Sequence, residues 1–132
     1  MFIKLFLITI VVFLLIDIFW LGVVAKNIYA KEIGRLMKRN VNWLAAFIFY
    51  GIFIAGLVFF VIGPSVEDES ILTAVLSGAI FGFVTYSTYD LTNLSVLKGW
   101  SLKITVIDIL WGTFLASSVS VLTYIIAVNF II

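Results

Sequence analysis

Asp17, Asp90 and Asp108 each stand inside a long run of apolar residues. At the centre of a bilayer a carboxyl group costs about 3 kcal/mol on insertion scales, so three of them call for an explanation. Two recur in the same setting: the Asp-x-x-Trp spacing of Asp17 and Trp20 returns at Asp108 and Trp111. That spacing brings an indole N–H donor to within about one helical turn of a carboxylate. Tyr86, Tyr89 and Asn93 add hydroxyl and amide partners around Asp90. Such a set is suited to proton-linked binding of a cation or headgroup, to oxygen ligation of Mg²⁺ or Ca²⁺, or to hydrogen bonds that fix helix register. The chain has no cysteine and no histidine, which removes thiolate and imidazole chemistry and leaves carboxylates to do any acid–base work.

The elements that must position these residues follow from composition. Of 132 residues 64% are hydrophobic and 11% charged, whereas a soluble domain carries roughly a quarter charged residues. A soluble enzyme, a disordered tail and a nucleic-acid binder are excluded, and the net charge of +1 offers nucleic acid no electrostatic footprint. Four apolar runs, Leu5–Ala25, Val41–Ile62, Ile71–Leu91 and Ile104–Phe130, each reach or exceed the ~20 residues a helix needs to cross ~30 Å of hydrocarbon. Helices satisfy their own backbone hydrogen bonds in a solvent that offers none, and period-two alternation is absent. The expected fold is an all-α, integral-membrane four-helix transmembrane bundle forming a single domain over residues 1–132. The first run is too long for a signal-peptide core and contains Asp17 and Trp20, so it reads as a retained span.

Lys26, Lys31, Arg35, Lys38 and Arg39 fall between spans one and two, and Lys98 and Lys103 between three and four, while Lys4 stands alone on the other side. The positive-inside rule makes the crowded side cytoplasmic and puts both termini on the non-cytoplasmic side. The Glu67-Asp68-Glu69 cluster is then external, at the expected start of span three, where carboxylates suit the helix dipole. Within Asn27–Asn40, Tyr29, Ile33, Leu36 and Met37 share one helical face and Lys31, Arg35 and Lys38 another. This pattern predicts a short basic interfacial helix between spans one and two, against the plainer alternative of a solvated loop.

Counting ~1.5 Å per residue from the cytoplasmic ends places all three acids in the inner half of the bilayer. Gly78, Gly82, Tyr86 and Asp90 recur every fourth residue in span three, and Asp108, Gly112, Ala116, Ser120 and Tyr124 do so in span four. Each stripe joins small residues that permit close helix packing, notably Gly78, Gly82, Gly112 and Ala116, to polar residues that must avoid lipid. The acids of spans one, three and four are therefore expected to share one interior cavity. Their charge would be compensated there by protons, by Lys98 or Lys103, or by a bound cation.

Asp17-x-x-Trp20-Leu21-Gly22, Phe49-Tyr50 with Gly56, Thr88-Tyr89-Asp90-Leu91-Thr92-Asn93-Leu94, Lys98-Gly99-Trp100 and Asp108-x-x-Trp111-Gly112 together resemble a family of uncharacterised bacterial membrane proteins. That family is known as domain of unknown function 2177, and the resemblance extends over essentially the whole chain. It implies a four-span membrane protein and carries no assigned activity or catalytic residue.

The expected function is binding or transport of a small or lipophilic ligand. The expected site residues are Asp17, Trp20, Tyr86, Tyr89, Asp90, Asn93, Asp108 and Trp111, in an acidic and aromatic pocket of the cytoplasmic half of the bilayer. Two alternatives stand beside it. A lipid-modifying enzyme or subunit would use Asp17, Asp90 and Asp108 as weak candidate ligands for a divalent metal, and a structural or assembly protein would hold no ligand. Enzyme activity is the less favoured reading, and no cofactor can be named. The expected partners are the lipid bilayer, a small-molecule or lipid ligand, and a second copy or another membrane protein, with no nucleic acid. The expected location is the bacterial inner membrane.

Overall fold

A computed structural model describes residues 1–132. It contains helices and no strands, and four of the helical rods are long and apolar enough to cross a membrane: Phe2–Val24, Trp43–Glu67, Ile71–Val96 and Leu102–Phe130. The first rod is α1, Phe2–Phe19, continued by a π-helical turn over Trp20–Val24. A short helix between spans one and two, α2, covers Lys26–Ile33 and ends in a 3₁₀ turn, Gly34–Leu36. The second rod joins α3, Trp43–Leu57, to α4, Gly63–Glu67, through a π-helical segment at Val58–Ile62. Two uninterrupted helices complete the bundle, α5 at Ile71–Val96 and α6 at Leu102–Phe130.

Local chemistry sets several of these ends. Asn42, Ser70 and Ser101 precede α3, α5 and α6, and each side chain accepts a hydrogen bond at 3.1 Å from the backbone N–H three residues on. These caps satisfy donors that helix starts leave open. The second rod passes beyond Ile62, the expected end of that span, even though Pro64 cannot donate a backbone bond. The π-helical widening just before Pro64 relieves the usual clash of its ring with the preceding turn. The acidic cluster is consequently displaced from its expected place. Glu67 closes α4, Ser70 caps α5, and the first turn of α5 holds no acidic residue. The connection after span one is likewise shorter as a helix than its pattern suggested, because the amphipathic face stops at Ile33 and Met37 is extended.

The bundle is packed unevenly along its length. Helices α5 and α6 form its closest pair. A Cβ added to Gly82 would collide with the Gly112 carbonyl and lie 2.8 Å from the Ala116 Cβ, and one at Gly78 would lie 2.9 Å from the Ser117 Cα. Toward the end bearing the termini, Phe13, Ile54, Leu57, Ile62, Leu115 and Val119 make a fully buried core. At the α2 end this closure fails. No residue of α3 before Phe53 is buried, and Trp43, Leu44, Phe47, Ile48 and Phe49 are all exposed. The splayed start of α3 leaves a cavity beside α5 and α6 at the level of the acids. Outward-facing Leu7, Val11, Leu15, Ile80, Phe83 and Phe114 give the rods the apolar exterior that lipid requires.

Candidate functional site

The cavity has a volume of about 570 Å³. Its walls come from the end of span one (Asp17, Leu21), from α2 (Tyr29), from α3 (Phe49, Tyr50, Phe53), from α5 (Thr85, Tyr86, Thr88, Tyr89) and from α6 (Asp108, Trp111). Two of these residues are acids and none is basic. The lone ion pair of the molecule, Lys103 to Glu32 at 3.8 Å, lies instead where α2 meets α6, next to the 2.7 Å hydrogen bond from the Ser101 hydroxyl to Glu32.

Each carboxylate is held by groups from other elements. Asp17 is buried on α1 and accepts from the Tyr50 hydroxyl at 3.2 Å and from the Trp111 indole N–H at 3.4 Å. Asp108 is buried on α6 and accepts a short 2.6 Å bond from the Tyr29 hydroxyl, which in turn accepts from the Trp20 indole at 3.3 Å. The two indoles stack, with ring centroids 4.3 Å apart and planes within 7°. The Asp-x-x-Trp elements are therefore cross-wired. Each tryptophan serves the acid of the opposite helix, Trp111 directly and Trp20 through Tyr29, rather than the acid one turn away on its own. Antiparallel helices make this exchange available, because side chains that meet across a helix interface need not be neighbours along one helix.

Asp90 differs from the other two. It is 1% exposed, its two carboxyl oxygens have no hydrogen-bond donor, and it is not part of the cavity wall. Its unpartnered carboxyl is buried outside the cavity, on the helix that packs most closely against the one bearing Asp108.

The other expected site residues divide in the same way. Tyr86 and Tyr89 line the cavity, and Tyr86 packs over Gly112, where a Cβ would strike its ring. Tyr89 meets Trp100 edge-on at 5.9 Å. Trp20 is not in the wall but backs it through the indole stack, and Asn93 lies outside it and is half-buried. Gly78, Gly82, Gly112 and Ala116 are at the α5–α6 contact. No group of three acidic side chains is arranged to hold a metal ion, so Asp17, Asp90 and Asp108 do not form a ligand triad.

Two residues that complete the site, Tyr29 and Tyr50, were not among those expected. Tyr29 falls on the apolar face of the expected interfacial helix, but the structure turns its hydroxyl inward to Asp108. Burial, then the charge of Asp108 and the bond to it, push the Tyr29 phenol above the ordinary tyrosine range. A signal for Tyr50 was present, since it carries the one hydroxyl between Trp43 and Ile62. The connection bearing Tyr29 is pinned to the opposite loop by Arg35, whose guanidinium donates to the Gly99 carbonyl at 2.6 Å. Gly99 has φ +77°, and a Cβ there would run into that guanidinium.

No curated protein and no solved structure matches this chain. A family model described as "Predicted membrane protein (DUF2177)" matches residues 2–125. Together with four helices able to span a bilayer, that match makes this chain a multi-pass membrane protein belonging to the DUF2177 family.

Proposed function

We propose that the protein binds, and in a transport cycle would carry, a small or lipophilic cationic ligand at the Asp17–Asp108 cavity. The carrying observation is a 570 Å³ space walled by two carboxyls, four tyrosines and a tryptophan, with no basic side chain to neutralise the acids. An ammonium group supplies both the missing charge and the N–H donors, and tyrosine and tryptophan faces attract cations further. On this reading the protein sits in the bacterial inner membrane. Both termini lie outside and α2 in the cytoplasm, so the site belongs to the inner leaflet.

The test is a titration of the purified protein with hexylamine, followed by tryptophan emission, which Trp111 and its stacked partner make sensitive to the cavity. Saturable binding is expected, weakened about tenfold or more in Asp17→Asn because an ammonium would lose its buried counter-charge. Native mass spectrometry of the parent from gentle detergent should show a retained small molecule that Asp17→Asn loses. A linear, non-saturating response identical in both proteins, with no retained mass, would overturn the reading and leave the acids as register-fixing hydrogen-bond acceptors. Transport is tested separately in proteoliposomes, where amine-driven proton movement that persists in Asp17→Asn would remove this acid from the cycle. Cysteines introduced by Arg35→Cys and Asp68→Cys test the orientation in a chain without native thiols. An impermeant maleimide should reach only position 68 from outside.

A further inference from the structure

The acidic cavity does not end at its own walls. A second hollow of about 680 Å³ runs along the outside of the bundle between the second rod and α5, and it shares Phe49, Phe53 and Thr85 with the first. Its remaining lining, including Ile48, Ile52, Gly56, Phe60 and Phe81, is wholly hydrocarbon. Ile48, Ile52 and Phe60 are each more than half exposed, so this furrow opens sideways to the acyl chains rather than to water. Phe49 to Phe60 spans about 16 Å at ~1.5 Å per residue. That is close to half of the ~30 Å hydrocarbon thickness, the length one chain of a lipid occupies.

Resting on the amine-binding reading above, we infer that the ligand is a membrane amphiphile with a protonated amine head and a single aliphatic chain. It enters laterally, with its head between Asp17 and Asp108 and its tail in the furrow. Charge argues against a phosphate-bearing head, because an anion placed beside two carboxylates in low dielectric meets only repulsion. The furrow has room for one chain along one groove. An aliphatic tail leaving lipid for this groove gains little free energy, because the two environments are equally apolar. The furrow therefore directs the tail and contributes little to affinity, and the head carries the selection. Its signature is the place where the tail lies rather than the strength of binding.

The experiment uses dodecylamine carrying a diazirine at mid-chain, added to the full-length protein in nanodiscs, photolysed and mapped by peptide mass spectrometry. Adducts are expected at Ile48, Ile52, Gly56, Phe60 or Phe81. They should be competed by unlabelled dodecylamine and by hexylamine, and reduced about tenfold in Asp108→Asn. In Ile52→Trp, a bulky substitution at an exposed position that should not disturb packing, furrow adducts should be lost. Adducts spread over the outward faces of all four rods, such as Leu15, Ile80 and Phe114, would overturn the inference. So would equal furrow labelling by a dodecyl probe with a phosphate head. If hexylamine still binds saturably in either case, the amine site stands and only the tail assignment falls. If hexylamine does not bind, the function reading itself has failed.

Discussion

Replacing Gly82 by alanine tests whether backbone contact between α5 and α6 is what shapes the site. The new Cβ would overlap the Gly112 carbonyl oxygen and lie 2.8 Å from the Ala116 Cβ and 2.9 Å from the Gly112 carbonyl carbon. The closest obstacle is backbone, so no rotamer change can relieve the clash, and the helices must part by about 1 Å. A gap of that size forfeits roughly a quarter to a half of each dispersion contact it opens, and overpacking of this kind typically costs ~1–3 kcal/mol. Alanine returns about 1 kcal/mol of helix propensity, so the net loss is about 1 kcal/mol. Gly51→Ala is the control. It sits inside α3 with nothing within 4 Å of its Cβ position, so it should gain about 0.5–1 kcal/mol. The two variants should therefore differ by about 2 kcal/mol, roughly thirtyfold in the folded-to-unfolded ratio. Unfolding by sodium dodecyl sulfate in mixed micelles, followed by far-UV circular dichroism, measures that difference. If Gly82→Ala proves as stable as Gly51→Ala, the close α5–α6 contact is refuted.

The hydrogen bonds and the indole stack give further measurable outcomes. Tyr29→Phe removes the 2.6 Å bond to Asp108 and should cost about 1–2 kcal/mol, and a double-mutant cycle with Asp108→Asn should show coupling of about 1 kcal/mol; strictly additive losses would deny the contact. The folded chain holds the Tyr29 proton more tightly than the unfolded chain does. That contribution is complete below pH ~10 and is lost as pH rises beyond it, so alkaline stability should fall less steeply in Tyr29→Phe than in the parent. The Trp20–Trp111 stack should give a near-ultraviolet circular dichroism signal that either Trp20→Phe or Trp111→Phe abolishes and Trp43→Phe preserves, because Trp43 pairs with Phe47 and not with another indole. Arg35→Ala should raise amide hydrogen exchange around Trp100, since the bond to Gly99 is what ties the two loops together.

The spans were readable because each depends on a sum over some twenty residues, in which single exceptions such as Asp17 cannot change the sign. Their ends depend on individual groups and were less so. Phe2 and Ile3 carry α1 past Lys4, whose long side chain tolerates a helix end, and a π-helical turn lets the second rod run through Pro64 to Glu67. Asp17, Asp108, Tyr86, Tyr89 and Trp111 were identifiable as cavity residues because polar groups in hydrocarbon must turn inward. Asp90 obeyed the same rule but was buried outside the cavity wall, a choice that no spacing within α5 encodes. Tyr29 was hidden by its surroundings. In a basic, amphipathic connection a tyrosine is equally at home among headgroups, and only the docking of α2 on α6 distinguishes the two fates.

The crossed tryptophans bear on how one cavity can use two acids. Asp17 precedes Trp20, and Asp108 precedes Trp111, by about 4.5 Å along helices of opposite direction. With the indoles stacked, the two acids flank the stack from helices of opposite direction, and their partners differ. Asp17 is held through Tyr50 by the helix that lines the furrow, whereas Asp108 is capped by Tyr29 from the connection between spans one and two. On the proposed reading, an ammonium bound between the acids competes with the Tyr29 hydroxyl for Asp108, and the Trp20–Tyr29 bond links that hydroxyl to the indole stack. Exchange protection across Lys26–Ile33 should then fall when hexylamine saturates the site, but not in Asp108→Asn.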